Sequence, residues 1–158
     1  MNLPGPKLDR VHINTGGRLI LNPPRVLLAD DHQALLKAEI DLLSPYFDVV
    51  GTAADGAALV SEACRLDPDV IVTDISMPIL NGIDAVHKLQ ESGSTAKFVF
   101  VTVQLEGEFV EACTEAGALG YVQKVCLKRD LVPAIEAALA GRSYISQLDS
   151  HPSSKHAR

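Results

Sequence analysis

Five residues carry groups that could do chemistry together: the adjacent carboxylates Asp30 and Asp31, the carboxylate Asp74, the hydroxyl of Thr102 and the ammonium of Lys124. Each stands directly after a short apolar run. Arg25–Ala29 leads into Asp30-Asp31, Val70–Thr73 into Asp74, Phe98–Val101 into Thr102, and Tyr121–Gln123 into Lys124. Runs of this kind, continuous and not alternating, are those of strands buried on both faces. In open parallel sheets, ligands bind outside the carboxyl ends of the strands, at the point where the strand order reverses. If these strands are neighbours, three carboxylates, a hydroxyl and an ammonium meet in one pocket. Close carboxylates repel one another unless a cation sits among them, and oxygen donors that leave room for bound water suit Mg2+ better than zinc. A divalent cation, a Lys and a Thr hydroxyl around a carboxylate are the parts needed to move a phosphoryl group onto that carboxylate. Positioning and charge neutralisation lower such a barrier, so no general base is required.

Elements between the runs must hold these groups in place. A helical stripe through Leu36, Ile40 and Leu43 follows the first run, and Phe47–Gly51 is a second strand. Leu59, Val60, Ala63 and Cys64 mark the next helix. Ile83, Val86 and Leu89 follow the strand at Val70, Phe109, Val110 and Cys113 follow the strand at Phe98, and Leu131, Ile135 and Leu139 close the series. Five strands interleaved with five helices predict an α/β fold, a doubly wound five-stranded parallel sheet covered on both faces. Right-handed crossovers leave few strand orders for it.

The 158 residues carry 14 Lys plus Arg, 20 Asp plus Glu and a net charge of −6. Lys7, Arg10 and Arg18 against Asp9 make residues 1–24 +2, and Lys155 and Arg158 against Asp149 make residues 146–158 +1, which leaves −9 on residues 25–145. The acidity belongs to the folded part and speaks against a general nucleic-acid or anionic-membrane binder. No apolar run approaches the roughly 20 residues of a membrane span, and Leu19-Ile20-Leu21 is too short for a secretory signal. A cytoplasmic location and reduced thiols are therefore expected for Cys64, Cys113 and Cys126, with Cys64 and Cys113 as buried filler. Residues 1–24, punctuated by Pro4, Pro6, Gly16, Gly17, Pro23 and Pro24, read as a flexible extension. Residues 25–146 form the domain and residues 147–158 a tail.

Taken together, Ala29-Asp30-Asp31-His32, the stretch Asp74–Gly82 (Asp-Ile-Ser-Met-Pro-Ile-Leu-Asn-Gly), Thr102 and Gly120–Lys124 (Gly-Tyr-Val-Gln-Lys) resemble the receiver domain of bacterial two-component response regulators. The opening Ala-Asp-Asp-His and Gly141–Ser146 (Gly-Arg-Ser-Tyr-Ile-Ser) are similar to receivers of the LuxR/NarL type. The resemblance implies a flavodoxin-like (CheY-like) strand order of 2-1-3-4-5. It implies that Asp74 accepts the phosphoryl group and that Asp30, Asp31, Asp74 and the backbone carbonyl of Ser76 hold Mg2+. Lys124 would pair with the phosphoryl oxygens, Thr102 would hydrogen-bond one of them, and Tyr121 would be the switch aromatic that turns inward behind Thr102. Ser76 and Gln104 occupy positions similar to those that tune phosphate lifetime. Met77-Pro78 and Asn81-Gly82 shape the loop after Asp74, and His32 and His87 read as a polar residue at a helix start and a surface residue. Lys128 and Arg129 beside Asp130 read as a helix entrance.

The implied partners are a sensor histidine kinase or phosphotransfer protein and an output protein, with a homodimer on phosphorylation as a further expectation. Twelve residues follow Ser146, fewer than a helix-turn-helix domain needs, so direct nucleic-acid binding is not expected. One alternative is a receiver fragment or relative of a LuxR-type DNA-binding regulator acting through dimerisation. A second is a small phosphohydrolase with an aspartate nucleophile. Such enzymes usually place another Asp two residues after the nucleophile, where this chain has Ser76.

Overall fold

The computed structural model describes residues 11–13, 16–103 and 107–147. Its elements are strands β1 (Val11–Ile13), β2 (Leu19–Leu21) and β3 (Arg25–Ala29), helix α1 (Gln33–Leu43), β4 (Asp48–Ala53), α2 (Gly56–Leu66), β5 (Val70–Asp74), α3 (Gly82–Glu91), β6 (Lys97–Thr102), α4 (Gly107–Glu115), β7 (Gly120–Gln123), a 3-10 turn at Lys124–Cys126, α5 (Leu127–Leu139) and β8 (Tyr144–Ile145). Six parallel strands lie in the order β4-β3-β5-β6-β7-β8. Counted from β3, the first five have the expected order 2-1-3-4-5.

Two features were not read from the sequence. The sixth strand, β8, is only two residues long and pairs with the outer edge of β7. β1 and β2 pair antiparallel in a sheet of their own, by Val11 opposite Leu21 and Ile13 opposite Leu19.

Successive strand residues point to opposite faces, and the continuous apolar runs therefore feed two cores. Leu27, Ile71, Phe98, Phe100 and Tyr121 pack with Leu59, Val86, Leu89 and Cys113 of α2, α3 and α4. Val26, Leu28, Val72, Val99, Val101 and Val122 pack with Leu36, Leu43, Leu131 and Ile135 of α1 and α5. Fully burying a side chain such as Leu131 or Ile135 contributes about 1.5–3 kcal/mol. Helices α2 and α3 start at side-chain caps: Asp55 accepts the N–H of Ala58 at 2.7 Å, and Asn81 accepts that of Asp84 at 2.9 Å, which satisfies amides that have no partner inside the helix.

One expectation about a buried position needs correcting. Cys113 is buried but Cys64 is exposed, because the inward face of α2 is set by Gly56, Leu59 and Ala63 and Cys64 lies one residue around from it. On α1 the buried positions are Leu36, Glu39 and Leu43, with Ile40 half-buried. A carboxyl group thus occupies the centre of an apolar stripe. Among the described residues, no helix is long and apolar enough to cross a membrane.

Candidate functional site

Strand order brings positions far apart in sequence to one end of the sheet. β3 lies between β4 and β5, and β6 and β7 follow β5, so Asp30, Asp74, Thr102 and Lys124 all leave the same end of adjacent strands. The Lys124 ammonium sits 3.1 Å from Asp74 Oδ2 and 3.2 Å from Asp30 Oδ2, with its side chain largely buried. It donates a hydrogen bond to Asp74. The contact with Asp30 is an ion pair by distance, and its geometry leaves Oδ2 of Asp30 without a hydrogen bond. Asp30 is 1% exposed and Asp74 5%. One donor atom from each of Asp30, Asp31, His32 and Asp74 lies within 4.8 Å of the others.

Local folding sets these positions. The N–H of His32 donates to Asp30 Oδ1 at 2.8 Å, a tight turn that directs Asp30 inward before α1 begins. His32 Nδ1 stands 3.2 Å from Oδ1 of both Asp30 and Asp31. Gly82 lets α3 start against the end of β5, because a Cβ there would lie 2.1 Å from the carbonyl oxygen of Asp74. Between them, Leu80 N–H donates to the Pro78 carbonyl at 2.8 Å around Ile79, whose φ is +71°. That γ-turn with positive φ is a strained conformation for a β-branched residue.

The electrostatics follow from burial against one shared cation. Burial raises the carboxyl pKa of Asp74, opposed by Lys124 and the Ser76 backbone amide and reinforced by Asp30. Burial also works against the Lys124 ammonium, but Asp74 and Asp30 outweigh it and raise its pKa. Glu39 lies behind this cluster, 2% exposed with Oε2 unpaired, and its pKa is pushed up to about 8, by burial first and then by Asp30. Oxygens packed this closely, one of them a buried Asp30 oxygen lacking a hydrogen bond, fit a hard divalent cation.

Thr102 is buried at the end of β6 and opposite Gln123 in register. Ser76 is exposed in the loop after β5. Tyr121 does not line the cluster: it is buried on the α4 side, stacked on Phe100 with ring centres 6.3 Å apart, and its hydroxyl donates to the Ala118 carbonyl at 3.3 Å. Gln104 lies outside the described residues.

His32 and Glu39 belong to the site or its lining and were not singled out from the sequence as such. The signal for His32 was its place directly after the Asp pair. For Glu39 it was the i+3 spacing from Leu36 and the i−4 spacing from Leu43.

A doubly wound sheet with paired acids, a lone Asp and a Lys at its switch point defines a receiver. The sequence matches the family described as "Response regulator receiver domain" over residues 26–136, and the chain belongs to that family. It is similar to the nitrate/nitrite response regulator protein NarL of Escherichia coli K12, at 35% identity over 127 residues, 79% of this chain and 59% of the relative. The chain thus spans about 59% of that relative's length.

Among solved structures, it resembles a two-component response regulator of the LuxR family from Aurantimonas sp. SI85-9A1, with TM-score 0.75, 33% identity and coverage of 78% of this chain and 90% of that one. The signal receiver domain of the putative response regulator NarL from Mycobacterium tuberculosis gives TM-score 0.73 and 26% identity over 77% of this chain and 99% of that one. This chain is a receiver of the NarL/LuxR type, a signalling domain and not a classical enzyme.

Proposed function

We propose that residues 25–146 act as the phosphoacceptor of a two-component pathway, with Asp74 taking a phosphoryl group from a sensor histidine kinase or phosphotransfer protein. A carboxylate oxygen of Asp74 forms the new P–O bond, and the bond from phosphorus to the donor's leaving atom breaks, its electron pair staying with the donor. Lys124 steadies the charge on the transferred oxygens, and Thr102 donates its hydroxyl to one of them. Asp30, Asp31, Asp74 and the Ser76 carbonyl would hold Mg2+, which when bound neutralises charge on the transferring group. With Thr102 drawn to the phosphoryl group, Tyr121 turns from its place beside Phe100 and changes the surface offered to an output partner, a two-state element biased by a local charge change. The observation that carries the reading is the single ammonium 3.1 Å and 3.2 Å from two buried carboxylates at adjacent strand ends.

Incubation with acetyl phosphate and Mg2+ is expected to add one phosphoryl group, seen by intact mass. Asp74→Asn is expected to abolish the addition, and equal labelling of that variant would sink the assignment.

A second reading, in which the same phosphoacceptor serves a LuxR-type DNA-binding regulator through dimerisation, draws support from the likeness to the LuxR-family response regulator of Aurantimonas. Under it, phosphorylation shifts the chain to a dimer in sedimentation; a chain monomeric in both states counts against it.

A further inference from the structure

Outside the acidic cluster, Asp130 in the first turn of α5 is a buried carboxylate with every oxygen engaged. Its Oδ1 accepts from Tyr144 Oη at 2.7 Å and Arg129 Nε at 2.9 Å, and its Oδ2 accepts from Ser146 Oγ at 2.6 Å and Arg129 Nη2 at 3.1 Å. Ser146 follows β8 and is 4% exposed. Its amide donates to the Tyr121 carbonyl at 2.8 Å, continuing the β7–β8 ladder. The next rung breaks the pattern. The Gln123 N–H donates at 3.2 Å to the hydroxyl of Ser146, where a parallel ladder would offer a backbone carbonyl. Gln123 is the last residue of β7, and Lys124 comes next. The end of the strand that launches the active ammonium is thus tied down by a side chain, and that side chain's proton is committed to a buried carboxylate.

We propose that Ser146, held by Asp130, is a positioning residue for Lys124: its hydroxyl fixes the carboxyl end of β7 and thereby the point from which the ammonium reaches Asp74 and Asp30. The link also ties β8, and whatever chain follows it, to the phosphoryl site. A displacement of β8 loosens Lys124, and by reciprocity a change at Lys124 is felt at β8. A hydroxyl suits this task better than a carbonyl because its orientation is set by a second partner, Asp130, which belongs to α5. Strand end, helix start and terminal strand therefore share one fixed point. The effect on rate rests on Asp74 being the phosphoacceptor; the effect on Lys124 does not.

The test uses the whole 158-residue chain as wild type, Ser146→Ala, Ser146→Thr and Asp74→Asn. In the unmodified protein, nuclear magnetic resonance of the Lys124 ammonium reads its ion pairs directly. Wild type and Ser146→Thr are expected to show a slowly exchanging signal, and Ser146→Ala to lose it, with about tenfold faster amide exchange at Gln123. In phosphoryl uptake from acetyl phosphate with saturating Mg2+, Ser146→Ala is expected to fall about tenfold in maximal rate, the scale expected of a small misplacement. Its half-saturating donor concentration should stay within twofold, and Ser146→Thr should restore the rate. An undiminished Lys124 signal in Ser146→Ala, or a loss that Ser146→Thr fails to restore, overturns the proposal. If wild type takes up no phosphoryl group, or Asp74→Asn takes it up equally, the assignment of Asp74 falls, while the ammonium signal still decides the link.

Discussion

Asp74 and Asp130 are both buried aspartates in contact with a cation, yet their acidities move in opposite directions. At Asp130 the hydrogen bonds from Arg129 come first and, with those from Ser146 and Tyr144, overcome burial and pull the pKa down to about 2. At Asp74 burial comes first and wins, because its ammonium is shared with Asp30 and the neighbouring acid adds repulsion. The difference is one of satisfaction. Asp130 has four donors on two oxygens and joins helix to strand. The Asp74 pocket is under-neutralised: Asp30 has an oxygen without a hydrogen bond, and Glu39 behind it is held towards its neutral form. A buried carboxylate that is fully paired builds structure, and one left short of positive charge is available to a cation or a transferred group.

The comparison can be broken first at its satisfied end. Asp130→Ala takes the shared acceptor from Arg129, which keeps its bond to the Gln147 carbonyl, and from two hydroxyls, and is expected to lower the unfolding free energy by about 3 kcal/mol at pH 6, read by urea denaturation. The folded pKa of about 2 lies below the unfolded value of about 3.9. The contribution of Asp130 is therefore present above about pH 4 and is lost as pH falls towards 2, and the gap between wild type and variant should narrow over that window. A gap that does not depend on pH would mean the aspartate acts by packing alone.

Glu39 tests the under-neutralised end. Its folded pKa of about 8 stands above the unfolded value near 4.3. The penalty is absent below about pH 4 and grows as pH rises towards 8. Glu39→Gln removes it, so a gain on the order of 2 kcal/mol is expected at pH 8 and almost none at pH 4. Equal gains at the two pH values would place the effect in packing instead of charge.

Mg2+ sharpens the contrast between the two aspartates. At ten times its dissociation constant it is expected to raise stability by about 1.4 kcal/mol, by mass action on the folded state. The gain should vanish in Asp31→Asn and persist in Asp130→Asn; the reverse result would move the cation site.

The smallest expected effect concerns strain, which is placed on the Asp74 side at Ile79 with φ +71°. Ile79→Gly relieves an unfavourable conformation at some cost in chain entropy, and a net gain of about 1 kcal/mol in urea is expected. A loss of stability would show that the turn is held without strain.

Much of this molecule was legible in its periodicity. Val70–Thr73 and Phe98–Val101 read as strands buried on both faces, and each became one, because a run without polar interruption has no solvent-facing side to offer. The two residues of β8 were not legible as a strand, since Tyr144 and Ile145 are too few to show a period and gain their partner only from β7. Cys64 was misplaced by one helical step, a rotation of about 100° that apolar spacing cannot resolve when Val60 and Ala63 flank the same face. Glu39 escaped notice because its position on the stripe is apolar in pattern and polar in chemistry.

By itself the sequence determined which groups sit at strand ends, that the fold is α/β, and that the acidity is concentrated in residues 25–145, since these follow from residue order and local spacing. Tertiary structure alone decided that Lys124 lies between Asp30 and Asp74, that Glu39 is shut behind them, and that Ser146 holds the strand from which Lys124 departs. Those relations join residues up to 94 positions apart, and only the pairing of strands and the packing of α1 and α5 on the sheet bring such partners together.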